Sequence, residues 1–177
     1  MVFLEWPISC THDERMPFMN FFEWLQETDI STAIRESNVL FPLLEGSHVM
    51  ALALSVGIIV VLDVRLVGWG MRATPVSRIF ENLRPWALFG FAIMFATGIL
   101  LFISEPVKCV STPSFLVKLV LLAFAGANAV FFDRGVYPAV AGWDTAASLP
   151  GRAKFAGAAS LVLWFAIIFL GRWTAYA

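Results

Sequence analysis

The sequence predicts an all-α integral membrane protein. Its expected form is an antiparallel four-helix bundle, preceded by an N-terminal interfacial amphipathic helix and carrying a short cytoplasmic interfacial helix. Three observations carry this. Charged residues make up only 14% of the 177 positions and hydrophobic ones 59%, where an ordinary soluble domain carries about 25% charge. Mean hydropathy is +0.79. Four stretches nearly free of charge are each long enough, at about 20 residues, to cross a hydrocarbon core of about 30 Å. Seventeen Phe and seven Trp are far from the composition of disorder, and a net charge of −1 offers no basic footprint for nucleic acid.

Residues 1–18 read as a tail. Glu5 and Pro7 interrupt its short apolar stretch and no basic region precedes it, so it makes a poor signal peptide. Residues 19–177 form one membrane domain. Its first element, residues 19–37, combines Phe21, Phe22, Trp24 and Leu25 with Glu23, Glu27 and Asp29. That mixture predicts an interfacial helix, broken near Asp29, which is placed to cap the segment leading into the first span.

The first span runs from about Val39 to Leu62 and contains Glu45 and His48. After it, Thr74-Pro75 reads as an N-cap followed by proline at the first helical position. Val76, Ile79, Phe80 and Leu83 then repeat at i, i+3, i+4 and i+7. This predicts an amphipathic helix over about 75–84, either lying on the interface with Arg78 turned to lipid phosphates or packed on the bundle as a connector. The second span, Pro85 to Ser104, carries no charge; the third, Ser114 to Phe132, carries only Lys118; the fourth, Phe155 to Gly171, is uncharged and ends on Arg172, Trp173 and Tyr176. Small residues recur at four-residue spacing in Ala51 and Ser55, Ala53 and Gly57, Ala123 and Ala127, and Ala156 and Ser160. Such pairs let helices approach closely and allow a homo-oligomer.

Loop charge predicts orientation. The loops 63–84 and 133–154 hold seven Lys or Arg against four acids, and the remaining segments hold five and nine. By the positive-inside rule those two loops are cytoplasmic and both termini are periplasmic, in a bacterial inner membrane. Trp69, Trp86 and Trp143 on the inner side, with Trp173 and Tyr176 on the outer, suit interfacial belts.

An ionisable residue inside a span costs a few kcal/mol and needs a partner. Glu45 and His48 stand at i and i+3, hence near one face, and Ser55 continues it. Lys118 and Thr97 fall at similar depth on other spans. One reading is an outward-opening polar pocket of Glu45, His48, Lys118 and Thr97; another is a Glu45–Lys118 ion pair with His48 hydrogen-bonded nearby. Asp63, Arg65, Asn128, Asp133 and Arg134 gather at the inner ends of the first and third spans, where a structural interhelical network is expected.

A histidine in a small four-helix membrane bundle invites comparison with b-type cytochromes. Within one chain the other histidine is His12, in the tail. Haem b would need His48 with Met94, His48 paired across two subunits, or five-coordinate iron. Copper at His48 is equally open, although Met50 two residues on points to another face. Cys10 and Cys109 both fall on the outer side, which allows a disulfide between them. No catalytic triad, phosphate loop or zinc-protease motif is present, so no enzyme is expected.

Several runs together carry a resemblance: WLQETDISTAIRESNVLFPLLEGSHVMALALSVGIIVVLDVRLVG, PVSRIFENLRPWALFGFAIMFATGILLF, NAVFFDRGVY, GWD and the terminal GRWTAY. Over roughly residues 20–177 the chain resembles a bacterial family of four-helix membrane proteins of unknown function. That family is distantly similar to the membrane domain of copper-resistance protein D, which implies metal or haem handling, with His48 as the histidine of the first span. The resemblance also implies that relatives carry histidine where this chain has Asp133; here the carboxylate beside Arg134 suggests a structural pair. The expected function is therefore a small inner-membrane protein binding haem or a metal around His48. The alternative is a noncatalytic membrane subunit or small-solute permease component whose polar cluster is structural.

Overall fold

In a computed structural model, which describes residues 17–71, 73–146 and 148–174, every regular element is helical. Two short helices come first, α1 (Pro17–Gln26) and α2 (Asp29–Glu36). The break between them is capped by Thr28, not by Asp29: the Thr28 hydroxyl donates to Leu25 O at 2.7 Å and accepts the Ser31 N–H at 3.4 Å. Asp29 instead sits in the first turn of α2, where its charge suits the helix dipole. The expected tail lies outside the described residues up to position 16, as do His12 and Cys10.

The four predicted spans are all present as helices long and apolar enough to cross a membrane. The first, α3 (Leu40–Val67), has 28 residues and extends five beyond its expected end. It stops at Gly68, whose left-handed φ of 92° turns its N–H back onto Val64 O and Arg65 O. The second, α4 (Val76–Ser104), fuses the expected amphipathic helix with the second span into one 29-residue rod, running through Pro85. No break in the helix separates the two. A short helix, α5 (Pro106–Ser111), leads into α6 (Pro113–Phe131), and each begins on a proline, which lacks only an N–H that a first turn cannot use. A π turn over Phe132–Val136 and a 3-10 turn over Tyr137–Gly142 prolong α6 before α7 (Gly151–Thr174) closes the bundle.

Backbones pack closely between α3 and α4, α3 and α7, and α6 and α7, so α3 is shared by two seams. Glycines set both of its distances. A Cβ at position 90 would overlap Ser55 Oγ on α3, and one at 157 would stand 2.9 Å from Leu66 Cβ and 3.1 Å from Asp63 O. Of the small-residue pairs, Ala51/Ser55 and Ala156/Ser160 are buried, while Ala53/Gly57 and Ala123/Ala127 are turned outward. The α4 and α6 backbones, by contrast, do not pack against each other. Long side chains bridge that gap, with Phe102 stacked on Phe115 at one end and Phe80 tilted against Phe132 at the other.

Position also sorts the aromatic residues. Trp69, Trp86 and Trp173 are exposed as the interfacial reading requires. Trp143 is not a belt residue. It is 8% exposed, packed in a core with Leu66, Val76 and Ala153, because the chain after α6 folds back over that end of the bundle. At the opposite end Arg35 Nη1 donates to Gln26 O, Ser31 Oγ and Ser104 O, tying α1 and α2 to the last carbonyls of α4. Exposed Phe21 and Trp24 on α1 give that layer an apolar outer surface. Tyr176 lies outside the described residues.

Candidate functional site

The polar residues fall into two groups, one at each end of the bundle. At the first, His48 on α3 and Thr97 on α4 meet: His48 Nδ1 lies 3.0 Å from Thr97 Oγ1. Thr97 donates its own hydrogen to Ile93 O at 2.8 Å, which makes its oxygen the acceptor and assigns the ring proton to Nδ1. The imidazole packs on Gly98, where a Cβ would come within 3.1 Å of Cε1. Met94 is buried one turn away, and its carbonyl also reaches toward Thr97 at 3.2 Å.

The remaining predicted members do not join this pair directly. Glu45 is exposed, because three residues along a helix is a rotation of about 60° off the His48 direction, enough to leave the α3–α4 seam. Lys118 is half-buried and lies along α7, its Nζ 3.4 Å from where a Gly171 Cβ would stand. Its charge reaches the His48 ring without a hydrogen bond. No Glu45–Lys118 ion pair forms, so that reading is corrected. Among the described residues no group of three or more His, Cys, Asp and Glu gathers as metal ligands. Cys109 forms no disulfide there, and burial, reinforced by Glu105, pushes its thiol up.

The second group surrounds a cavity. It holds about 510 Å³ between α3, α4, α6 and α7, in the gap left where α4 and α6 stand apart. Its wall is mostly apolar, with Phe80, Phe91, Phe95, Phe132 and Trp164 among the lining side chains. Asp63 enters from α3. It is 5% exposed, Ser160 hydrogen-bonds its carboxyl group from α7, and its Oδ2 has no hydrogen-bond partner among the described residues. At the rim Arg84 pairs with Asp133 at 3.2 Å, both well exposed, and Arg134 is exposed beside them. Asn128, another lining residue, donates to Ala156 O at 2.9 Å and fixes α6 to α7.

Charges nearby are spoken for by other groups. Arg65, 3% exposed, turns away from the cavity: Nε donates to Thr74 O at 3.1 Å and Nη2 to Asp144 O at 3.5 Å. Thr74 therefore serves through its carbonyl, and the capping role expected of it falls to Asp144, which accepts the Ser77 N–H and hydroxyl. Burial works against the Asp144 carboxylate, but the two Ser77 hydrogen bonds, a backbone hydrogen bond from Val76 and the Arg65 charge together outweigh it and hold the group below the usual carboxylate range.

The polar cluster at this end of the bundle is thus visible in sequence, while the cavity it lines is not. Asp133 does not pair with its neighbour Arg134; adjacent residues on a helical turn diverge by about 100°, and the partner is Arg84, from α4.

A family model described as "Family of unknown function (DUF6644)" matches residues 21–177. No curated protein and no solved structure matches the chain. These comparisons give nothing in support of a likeness to copper-resistance protein D.

Proposed function

The chain belongs to DUF6644, a family of unknown function, and from that premise we propose that it is a small-molecule-binding membrane protein of the permease-component type, with its ligand held in the cavity beside Asp63. The observation that carries this reading is the cavity itself: about 510 Å³, mostly apolar, with a few convergent polar groups. Ligand pockets run from about 300 to 1,000 Å³ and have this same balance of wall and anchor. Loop charge supports placing the Arg84 end in the cytoplasm of a bacterial inner membrane, with both termini periplasmic.

Titration of a neutral aromatic probe, 1-aminoanthracene, into the protein in lipid nanodiscs tests the reading. Wild type gives saturable binding of one equivalent above the lipid background. Gly126→Leu abolishes it, because position 126 lines the cavity and a Cβ there meets nothing within 4 Å, so the new side chain fills open space. Indistinguishable, unsaturable partitioning in both proteins would overturn the assignment.

A further inference from the structure

The cavity contains one feature that an apolar ligand leaves unexplained. Asp63 lines this mainly apolar space, and its Oδ2 is buried with no hydrogen-bond partner among the described residues. Burying an ionised carboxylate without compensation is expensive, and inside a membrane span such a residue marks a ligand or ion path by default. The Ser160 hydrogen bond from α7 reaches the carboxyl group but brings no charge to it. The Gly157 contact that joins α7 to α3 uses the Asp63 backbone oxygen and the Leu66 side chain, not the carboxylate.

Among the described residues nothing supplies the counter-charge. Arg65 is committed to Thr74 O and Asp144 O, and Arg84 is neutralised by Asp133 at the rim. Arg134 is exposed, where its field is screened within about 10 Å. The walls favour a positive guest as well, because ring faces attract cations and Phe80, Phe91 and Trp164 come from two different helices around the space. An anion would meet the carboxylate, and a hydrocarbon would leave it unpaired.

We propose that the cavity takes a lipophilic organic monocation, its ammonium head beside Asp63 and its apolar body among the rings, with Asp63 as the counter-ion. This rests on the reading of the cavity as a ligand site. It names the ligand's charge and shape, and Asp63 as the residue that selects them.

The test compares benzyltrimethylammonium with neopentylbenzene, its neutral isostere, by calorimetric titration into nanodisc-held protein at pH 8, with empty nanodiscs subtracted. A quaternary head cannot lose its charge, so the two ligands differ in that charge alone. Wild type binds the cation roughly tenfold more tightly than the isostere, a difference of about 1.4 kcal/mol. Asp63→Asn binds the isostere as wild type does and loses the preference. Equal affinities in wild type, or a preference that survives in Asp63→Asn, overturn the counter-ion while leaving the cavity as a ligand site. Failure of wild type to bind either ligand overturns the cavity reading and this inference with it. If Asp63→Asn does not fold, as judged by loss of isostere binding, Asp63→Thr, which also lacks the charge, is titrated in its place with the same expected loss of preference.

Discussion

Asp144 caps the first turn of α4 through Ser77, 67 residues before it in sequence, accepting the Ser77 backbone N–H at 2.9 Å and the Ser77 hydroxyl with its second oxygen. The carboxylate thereby fills the role of a local N-cap for α4, whose flanking Pro75 offers no side-chain bond. Arg65 holds the Asp144 carbonyl from beneath, so the α3–α4 and α6–α7 connections are locked to each other.

Loss of that cap is measurable. Asp144→Ala costs about 1 kcal/mol of unfolding free energy, read by denaturant titration in mild detergent. The deficit depends on pH with a fixed sign. Because the folded protein holds the Asp144 carboxyl below its ordinary value, its contribution is fully present above about pH 3.9 and is lost as pH falls through the lower folded value. Melting curves of wild type and Asp144→Asn therefore converge between about pH 4 and the acid limit, and stay parallel above it. Convergence at neutral pH would remove the carboxylate from this role.

Glycines 90 and 157 set the spacing of α3 from its two neighbours. Gly90→Ala and Gly157→Ala each destabilise by about 1–3 kcal/mol through overpacking. Gly126→Ala, with nothing within 4 Å of its Cβ, does not. Because the obstacle at position 90 is Ser55 Oγ, adding Ser55→Ala restores part of the loss, and a double-mutant cycle measures the coupling directly.

Removing the Asp63 charge relieves an unpaired buried group. Asp63→Asn leaves unfolding free energy unchanged or raises it by up to about 2 kcal/mol, while cation binding falls, the opposition seen where a binding site is maintained at the expense of stability. Thermal melting of the ligand-free protein checks this. A clear loss of stability would make the carboxylate a structural bond to Ser160.

At the other end, Thr97→Val keeps shape and removes the acceptor of the His48 Nδ1 proton. About 1 kcal/mol is lost, and because one bond is shared, the cost of His48→Ala and Thr97→Val together falls short of their sum. Strict additivity would show that the two side chains act independently.

The spans are readable because lipid exposure demands long apolar runs, which no tertiary contact can hide. Their ends are less readable. The first span looks finished at Leu62 because Asp63 and Arg65 are charged, yet the helix continues to Val67 with both buried, Asp63 bonded by Ser160 and Arg65 by carbonyls of two later segments. Depth along a helix correctly matches His48 to Thr97. Rotation about the axis is the missing quantity: it turns Glu45 outward and sends Asp133 to Arg84 rather than to Arg134. The cavity has no signature at all, since it arises from two helices whose backbones stand apart, and a sequence records only the residues that are present.

That separation of α4 from α6 makes the bundle resemble a window more than a plug. One crossbar is the Phe102–Phe115 stack, and the other is the Arg84–Asp133 pair with Phe80 on Phe132. The frame, α3 seated on α4 and α7, stands on its glycine seams without either crossbar. The size of the opening is thus set by a handful of side-chain lengths rather than by the packing that keeps the helices together, so aperture and architecture are free to vary separately.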